Sequence, residues 1–380
     1  MPLLIYVAYR AANEQLTPEQ AFLIPVYAGL GIPILLMYFL NLCFTVWNIY
    51  RINWVLILEL DDRDHLDILS FNETMSFISL YFAVSFYFLV TDLFGIPMLV
   101  YPMTYLASCL VLFFMPIKIM HSSSRMWLAK TLVRILTSGF HPSQFRDFFV
   151  TDIIASMTYS FVAIQTVFCI SGYYVAGSTT ILQSCSLNQV WGPSLVTALP
   201  AYFRLIQCFK RYQETQLAYP HLTNAWKYVF SLIVVLLSLG ARLTNNTLIW
   251  NLWIIFSIIA TLYSYGWDIF FDWGLGRSDS QHIGLRNVLV YPEWFYYTAI
   301  VGNLVLRISW VTLLAPSYWG DGLRSSSVVF VLALFEAFRR FIWAIIRMEN
   351  EHSLNIGGFR AVREIPLPYK IGLNIVLTDA

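Results

Sequence analysis

The sequence predicts an all-α fold: a polytopic bundle of about nine transmembrane helices with one amphipathic helix at the membrane interface. Two observations lead to this class. Of the 380 residues, 58% are hydrophobic and only 12% are charged, with a mean hydropathy of +0.64, whereas about a quarter of a soluble domain is charged. In addition, nine apolar runs approach or exceed the roughly 20 residues that a helix needs to cross a ~30 Å hydrocarbon layer.

The apolar runs follow one another along the chain. The second and third are separated only by a Gly-Ile-Pro sequence at 95–97, which predicts a tight helical hairpin. The N-terminal residues lack the charged start and the small-residue cleavage site of a signal peptide, so we expect the first run to remain as a helix. The nine predicted spans are residues 23–47, 74–95, 97–117, 147–175, 193–211, 224–243, 248–271, 288–316 and 328–347.

The segment 121–140 differs from the spans. Apolar and basic side chains alternate along it at helical spacing, which predicts an amphipathic helix that lies in the membrane interface. Its apolar residues are Trp127, Leu128, Leu132, Ile135 and Leu136, and its basic residues are Arg125, Lys130 and Arg134.

The distribution of Lys and Arg predicts the orientation. If the N-terminus faces the lumen or exterior, the cytosolic segments hold fifteen cations and the opposite side holds three, Arg10, Arg242 and Arg324. Cytosolic loops are enriched in Lys and Arg, so we expect a lumenal N-terminus and a cytosolic C-terminus. We divide the chain into a short lumenal N-terminus (1–22), N-terminal helices with the interfacial segment (23–140), a core bundle with a solute path (141–365) and a cytosolic tail (366–380).

Five cations remain, and all five lie within predicted spans. A Lys or Arg at the centre of a membrane helix costs roughly 2.5–3.5 kcal/mol, so each is expected to face a partner or a cavity. The same spans hold acidic and polar residues that are candidate partners. The cations are Arg204, Lys227, Arg307, Arg339 and Arg340, and the candidate partners are Asp152, Ser156, Asp268, Asp272, Asn303 and Glu336.

One interpretation of these ions is a set of structural pairs. Glu336 precedes Arg340 by four residues, the favourable order for a pair on one helix, so we expect Glu336 to neutralise Arg340 in part. Arg339 then looks across the bundle, and Trp343, four residues after it, is placed to stack on its guanidinium.

The other interpretation is an anion pathway, because the planar fork of donors on Arg matches the oxygens of phosphate or carboxylate. Asn303, Arg307 and Trp310 share one helix face. Cations and acids from at least five spans exceed what a scaffold needs. We therefore expect Arg204, Arg307, Arg339 and Arg340 to converge on one cavity, and acid pairs closed away from solvent would favour the structural interpretation.

Other function classes have less support. The chain contains no GxSxG, HExxH, P-loop or dinucleotide fingerprint, so we predict that it is not an enzyme and needs no cofactor or metal. Its net charge of +1 gives no reason to expect nucleic acid. The five cysteines show no CxxC spacing, which predicts neither a disulfide framework nor a zinc site.

Stretches in order along nearly all of the chain resemble the EXS family of membrane proteins. This family includes the eukaryotic phosphate exporters of the xenotropic-retrovirus-receptor type. The matching stretches are WNIYRINW (47–54) with LILELDDR after it, SRMWLAKTLVRILTSGFHPSQFRDFFVTDIIAS (ending at 156), LPAYFRLIQCFKRYQETQLAYPHLTNAWKY (199–228), YSYGWDIFFDWGL (263–275), LRNVLVYPEWFYY (285–297), VLRISW (305–310), and FRRFIWAIIRMENEH (338–352) followed by FRAVREIPLP.

The resemblance implies a path for inorganic phosphate lined by arginines. It makes Asp152 and Asp268 the acidic neighbours that position the cations, and Trp310 a gate-lining aromatic residue. By motif matching, the phosphate contacts fall on Arg204, Lys227, Tyr228, Arg307, Arg339 and Arg340.

The sequence departs from the exporters in three ways. Only about twenty residues precede the first predicted span, where the exporters have a long SPX domain, so the chain resembles the short, SPX-less branch of fungal ER-retention-defective proteins. Ala155 and Asn303 stand where exporters commonly have Asn and an acid. The exporters also have one more span before the first one here, which agrees with a lumenal N-terminus.

The branch resemblance implies a multi-pass protein of the Golgi or endoplasmic reticulum membrane. We expect it to move phosphate from the lumen to the cytosol, and to support retention of lumenal ER proteins, recycling of Golgi glycosyltransferases and glycosylation. The expected partners are inorganic phosphate and membrane lipids. The alternative is a membrane adaptor that transports nothing and contacts the glycosyltransferase-recycling machinery on the cytosolic face.

Overall fold

A computed structural model describes residues 16–60, 67–92, 95–115, 121–177, 185, 191–277, 280–314 and 323–362. In these ranges the chain is helical and contains no β-strand. The helices are α1 (Pro18–Ile49), α2 (Trp54–Ile57), α3 (Ile68–Thr91), α4 (Val100–Phe114), α5 (Ser122–Leu136), α6 (Phe145–Ile154), α7 (Thr158–Val175), α8 (Trp191–Thr215), α9 (Ala218–Thr244), α10 (Thr247–Trp267), α11 (Glu293–Ile308) and α12 (Leu323–Val362).

Each of the nine predicted spans overlaps a described helix or a pair of consecutive helical segments. By length and composition, six helical segments in the described part of the chain can cross a membrane: Pro18–Ile49, Ile68–Thr91, Phe145–Val175, Thr247–Asp272, Ala218–Thr244 and Glu293–Leu314. The other three runs lie on α4, which has only 15 residues, and on α8 and α12, which carry several charges. A membrane protein is therefore supported, and the number nine stays a prediction.

Helix α1 is the central element of the N-terminal half and packs against α3, α7 and α12. Thr17 and Gln20 form a capping box at its start, with Pro18 in the first turn, where the missing N–H of proline costs nothing. The buried Gln20 side chain also donates to the carbonyls of Leu89 and Val90 at the end of α3. This contact fixes the start of α1 against the end of α3.

The hairpin predicted for the second and third spans is present. Tyr81 on α3 stacks on Tyr105 of α4 at 5.4 Å and donates to Ser108 at 2.8 Å. The connection is longer than predicted, because α3 ends at Thr91 and α4 begins only at Val100.

Helix α5 forms within the predicted amphipathic segment. Its Arg134 donates to the carboxylate of Asp147 on α6 at 2.9 Å, and this hydrogen bond raises the pKa of Arg134. Leu128, Val133 and Leu136 remain exposed. The location of α5 in a membrane interface stays a prediction.

Three α-helices, α6, α10 and α11, end in a turn of 3₁₀ or π-helix. A 3₁₀ turn at Ala155–Met157 separates α6 from α7, a π-helical turn at Asp268–Asp272 ends α10, and a 3₁₀ turn at Ser309–Leu314 ends α11. Such turns redirect side chains and often occur at functional sites. Here they carry four of the residues singled out in the sequence, Ser156, Asp268, Asp272 and Trp310, and Asp152 lies on α6 just before the first turn.

The prediction about the cysteines was wrong in one respect. Cys169, near the end of α7, forms a disulfide with Cys185, which lies before α8. No CxxC spacing signals this bond, because the two cysteines are 16 positions apart in the sequence. Cys43, Cys109 and Cys208 are free thiols. We call the side of the bundle with this bond the disulfide face, and the side with α5 and the start of α6 the basic face.

Helix α12 has 40 residues and is therefore about 60 Å long, twice the thickness of a hydrocarbon layer. Near its basic-face end the carboxylate of Glu349 is completely buried. It accepts hydrogen bonds from the Tyr296 hydroxyl at 2.6 Å and the Val290 amide at 3.0 Å, and lies 2.5 Å from Nη2 of Arg286. These contacts bind the start of α11 and the segment before it to α12.

Candidate functional site

The first group of predicted site residues joins α6, α8 and α9. Nε of the buried Arg204 donates to Oδ1 of Asp152 and lies equally close to the Tyr228 hydroxyl, both at 2.8 Å. Its Nη1 donates to Gln207 at 2.9 Å, and the rings of Phe148 and Tyr228 cover the guanidinium at 5.0 Å. Hydrogen bonds and two ring faces thus hold the Arg204 guanidinium in place.

The second group is centred on Asp268, in the π-helical turn. Its Oδ2 accepts from Arg307 on α11, with Nη2 at 2.5 Å, and from Nδ2 of Asn303 at 3.1 Å. Arg339 on α12 reaches the same oxygen at 3.3 Å. Oδ1 of Asp268 is buried and accepts no hydrogen bond from the described residues.

The third group lies on α12 and corrects a prediction. Glu336 pairs closely with Arg339, at 2.5 and 2.8 Å to the two carboxylate oxygens, whereas Arg340 lies 3.6 Å away. Arg340 instead donates to Ser156 at 2.8 Å, and its guanidinium covers the ring of Trp343. Glu336 is thus bound more closely by Arg339 than by Arg340, because residues three apart are as close on a helix as residues four apart. Arg339 also reaches across the bundle to Asp268, as predicted.

The fourth group lies between α9, α10 and α12. Nζ of Lys227 is 3.9 Å from Asp272 and faces the rings of Tyr228 and Trp267. Asp272 also accepts from the indole of Trp343 at 3.1 Å.

Together these side chains form a charged layer across the bundle. It contains five cations and four acids, which leaves one positive charge in excess. Anions are therefore favoured over cations in the layer. We define the charged layer as Asp152, Ser156, Arg204, Lys227, Tyr228, Asp268, Asp272, Asn303, Arg307, Glu336, Arg339 and Arg340.

A cavity of about 620 Å³ lies on the disulfide side of the charged layer. Its wall includes Ser156, Arg307 and Glu336 from the layer, Trp310, and Arg242 at the end of α9. The Trp310 indole donates to Thr261 at 3.1 Å and its ring contacts Trp253. The predicted gate-lining residue is thus fixed in the cavity wall.

A second cavity, of about 300 Å³, lies on the basic side. Asp152, Arg204 and Asp272 of the charged layer line it, together with Arg211 and Arg347. Lys227, Tyr228, Asp268, Asn303, Arg339 and Arg340 line neither cavity. They form the partition between the two.

The prediction that four arginines converge on one cavity was therefore wrong. Arg307 faces the cavity on the disulfide side, Arg204 faces the cavity on the basic side, and Arg339 and Arg340 lie in the partition. Each of the four also contacts an acid, as the structural interpretation required. A purely structural role, however, does not require these four arginines to lie in or beside a partition between two cavities on opposite sides of the charged layer.

Two residues of this site were missed in the sequence. Gln207 is buried, holds Arg204 and donates to Thr151 at 2.9 Å; its position three residues after Arg204 was the available signal. Arg242 was counted as a residue of the far side of the membrane, and the structure places it in the wall of the larger cavity.

The model of the EXS family matches residues 23–353, a region that contains the whole charged layer and the lining of both cavities. The chain belongs to the EXS family. The alignments with curated relatives cover most of this chain but only part of each relative.

The curated relatives of the EXS chain include solute carrier family 53 member 1 from Homo sapiens, 32% identical over 371 residues, and from Mus musculus, 30% identical over 364 residues. The xenotropic and polytropic retrovirus receptor 1 homolog from Xenopus laevis is 31% identical over 359 residues. Each alignment covers 90% of the EXS chain and 52% of the relative. The chain thus spans about half the length of the curated relatives it matches.

Proposed function

We propose that this chain moves inorganic phosphate across a membrane of the secretory pathway. The observation that carries the proposal is the charged layer, which has an excess of positive charge and lies between two cavities on opposite faces. Arginine forks suit the tetrahedral oxygens of phosphate. The family resemblance assigns phosphate contacts to the same cations, and the relatives named as solute carriers support a transport role.

The proposed orientation rests on two independent features. Disulfides persist in oxidising compartments such as the ER lumen, and Lys and Arg are enriched in cytosolic loops. We therefore assign the disulfide face to the lumen and the basic face to the cytosol. Phosphate would then enter through the larger cavity, which holds Arg242 and Arg307, and leave past Arg204 and Arg211.

The direction and the cellular role follow from glycosylation chemistry. Glycosyl transfer from nucleotide sugars releases nucleoside diphosphates, whose hydrolysis leaves phosphate in the Golgi lumen, and a path to the cytosol returns it. We propose that support of ER-protein retention and of glycosyltransferase recycling depends on this return. The Golgi or ER location rests on the family resemblance.

The test is phosphate flux in sealed proteoliposomes that contain the full chain. Wild type and Arg277→Ala are expected to transport equally, since Arg277 is exposed and lines neither cavity. Arg307→Ala and Arg339→Ala are expected to reduce the phosphate flux at least about tenfold, which corresponds to a barrier increase of roughly 1.4 kcal/mol. Wild-type flux at the background of protein-free vesicles would reject the proposal.

A cellular experiment separates transport from retention. Variants that fold, reach the Golgi and transport nothing are expected to lose retention of lumenal ER proteins. If they restore it, retention depends on another activity of the chain, such as an adaptor role.

A further inference from the structure

Among the described residues, the wall of the larger cavity contains one acid, Glu336, and this acid is out of place in an anion pathway. Cations and hydroxyl groups line the rest of the polar wall: Arg242, Arg307, Ser238, Ser309, Ser326 and Thr197 are examples. A carboxylate repels an anion 4 Å away by about 1 kcal/mol in water and about 4 kcal/mol at an effective dielectric constant of 20. The Glu336 side chain is nevertheless 33% exposed there.

Glu336 is a counter-ion of both Arg339 and Arg340, but that role alone does not require a carboxylate that is partly exposed to the cavity. Arg339 already contacts Asp268, whose side chain is only 1% exposed. A carboxylate needed only as a counter-ion is placed best where water and solutes cannot compete for it. Glu336 instead presents its carboxylate both to Arg339 and to the cavity, with Ser156 donating to Oε1 at 3.3 Å.

The acid has a use if the solute carries a proton. Monohydrogen and dihydrogen phosphate have a hydroxyl that donates, as well as oxygens that accept, whereas sulfate near neutral pH only accepts. An ionised carboxylate only accepts, so it forms a short, charge-assisted hydrogen bond with the phosphate hydroxyl and repels sulfate. Oδ1 of Asp268, which accepts no hydrogen bond from the described residues, is a second acceptor deeper in the layer.

We infer that Glu336 is a specificity-determining residue that accepts a hydrogen bond from the hydroxyl of a protonated tetrahedral oxyanion and thereby selects phosphate over sulfate. The arginines attract both anions, and Glu336 makes the binding of phosphate stronger than the binding of sulfate. This inference rests on the proposed phosphate transport and names the ionic form of the solute. It extends to arsenate, which has the same shape and the same hydroxyl.

The inference is tested by the flux of phosphate, arsenate and sulfate through the full chain in proteoliposomes. Wild type is expected to carry phosphate and arsenate at similar rates and sulfate at least about a hundredfold more slowly, because sites built around a hydroxyl reject analogues without one by large factors. Glu336→Gln is expected to reduce this ratio to about tenfold or less, since the amide is neutral and can donate to sulfate. Glu336→Asp, which keeps the charge, is expected to retain most of the selectivity.

A matched control is Glu293→Gln, the same chemical change at an exposed residue that pairs with His282 outside both cavities. It is expected to keep the wild-type ratio. An unchanged phosphate-to-sulfate ratio in Glu336→Gln overturns the inference while leaving phosphate transport intact. Absence of flux of any anion in wild type instead rejects the proposed function itself.

A measurement on wild type alone covers the case in which Glu336→Gln fails to fold. External sulfate is expected to inhibit phosphate flux at least about tenfold more weakly than arsenate does. Equal inhibition by the two anions would overturn the inference.

Discussion

Nη2 of Arg307 lies 2.5 Å from Oδ2 of Asp268, so the cation at the base of the larger cavity is bound to an acid of the partition. The Asp268 carboxylate oxygen occupies the position beside the Arg307 guanidinium in which a phosphate oxygen would be bound. An anion that reaches Arg307 must therefore share it with Asp268 or displace that carboxylate.

Replacement of Arg307 tests this arrangement. Arg307→Ala is expected to lose most phosphate flux while destabilising the protein by about 1–3 kcal/mol. The cost stays below the 3–5 kcal/mol typical of a buried ion that loses its partner, because Arg339 and Asn303 still bind Asp268. Flux and thermal unfolding in detergent measure the two effects. Full flux in a folded Arg307→Ala protein would contradict a role in the path.

The neighbouring arginines of α12 are expected to differ in their contribution to stability. Arg339 holds two acids, Glu336 and Asp268, whereas Arg340 has one close hydrogen bond, to Ser156. Arg339→Ala is therefore expected to cost about 3–5 kcal/mol, and Arg340→Ala about 1–2 kcal/mol. Thermal unfolding of the purified variants measures both. An equal or reversed order would refute the ion pairing described for α12.

Gly274 is expected to tolerate no side chain. Its φ is +62°, and a Cβ atom there would lie 2.6 Å from Oδ1 of Asn350. Gly274→Ala is expected to destabilise the protein by about 1–3 kcal/mol. The control is Gly302→Ala on α11, where a Cβ meets nothing within 4 Å and a small gain of about 0.4–1 kcal/mol is expected. Unfolding temperatures of the two variants should move in opposite directions.

The disulfide is expected to stabilise the disulfide face and to report its compartment. Loss of Cys169–Cys185, which closes a segment of 16 residues, costs about 3 kcal/mol on the loop-entropy estimate. Cys169→Ser and Cys185→Ser are expected to give equal losses in unfolding experiments.

The compartment is tested with a membrane-impermeant reductant on sealed, oriented Golgi or ER vesicles. The bond should resist the reductant outside the vesicles and break when the membrane is opened. Reduction in sealed vesicles would place the bond on the cytosolic face and reverse the proposed orientation.

Much of the site was predictable because the cost of charge in a membrane is large. Arg204, Arg307 and Arg339 stood out in apolar runs, and the structure brings them together with the acids singled out beside them. The helices were predictable for a different reason: each apolar run is long enough, or nearly so, to cross the hydrocarbon layer as a helix.

The remaining features depend on tertiary geometry. Helical spacing allowed Glu336 to pair with either Arg339 or Arg340, and only the neighbouring Ser156 and Asp268 decide between them. The Cys169–Cys185 bond joins residues 16 positions apart, and no local sequence pattern signals it. The division into two cavities depends on the side from which each helix presents its cation.

The buried carboxylate of Glu349 has a mechanical consequence. Because it is fully enclosed and bonded to Tyr296 and Val290, separation of α11 from α12 would strand a charge at a cost of several kcal/mol. The two helices are therefore expected to move together and to carry Arg307 and Arg339 with them. Any opening is then expected to begin at the 3.9 Å contact between Lys227 on α9 and Asp272, the longest ion pair between helices in the charged layer.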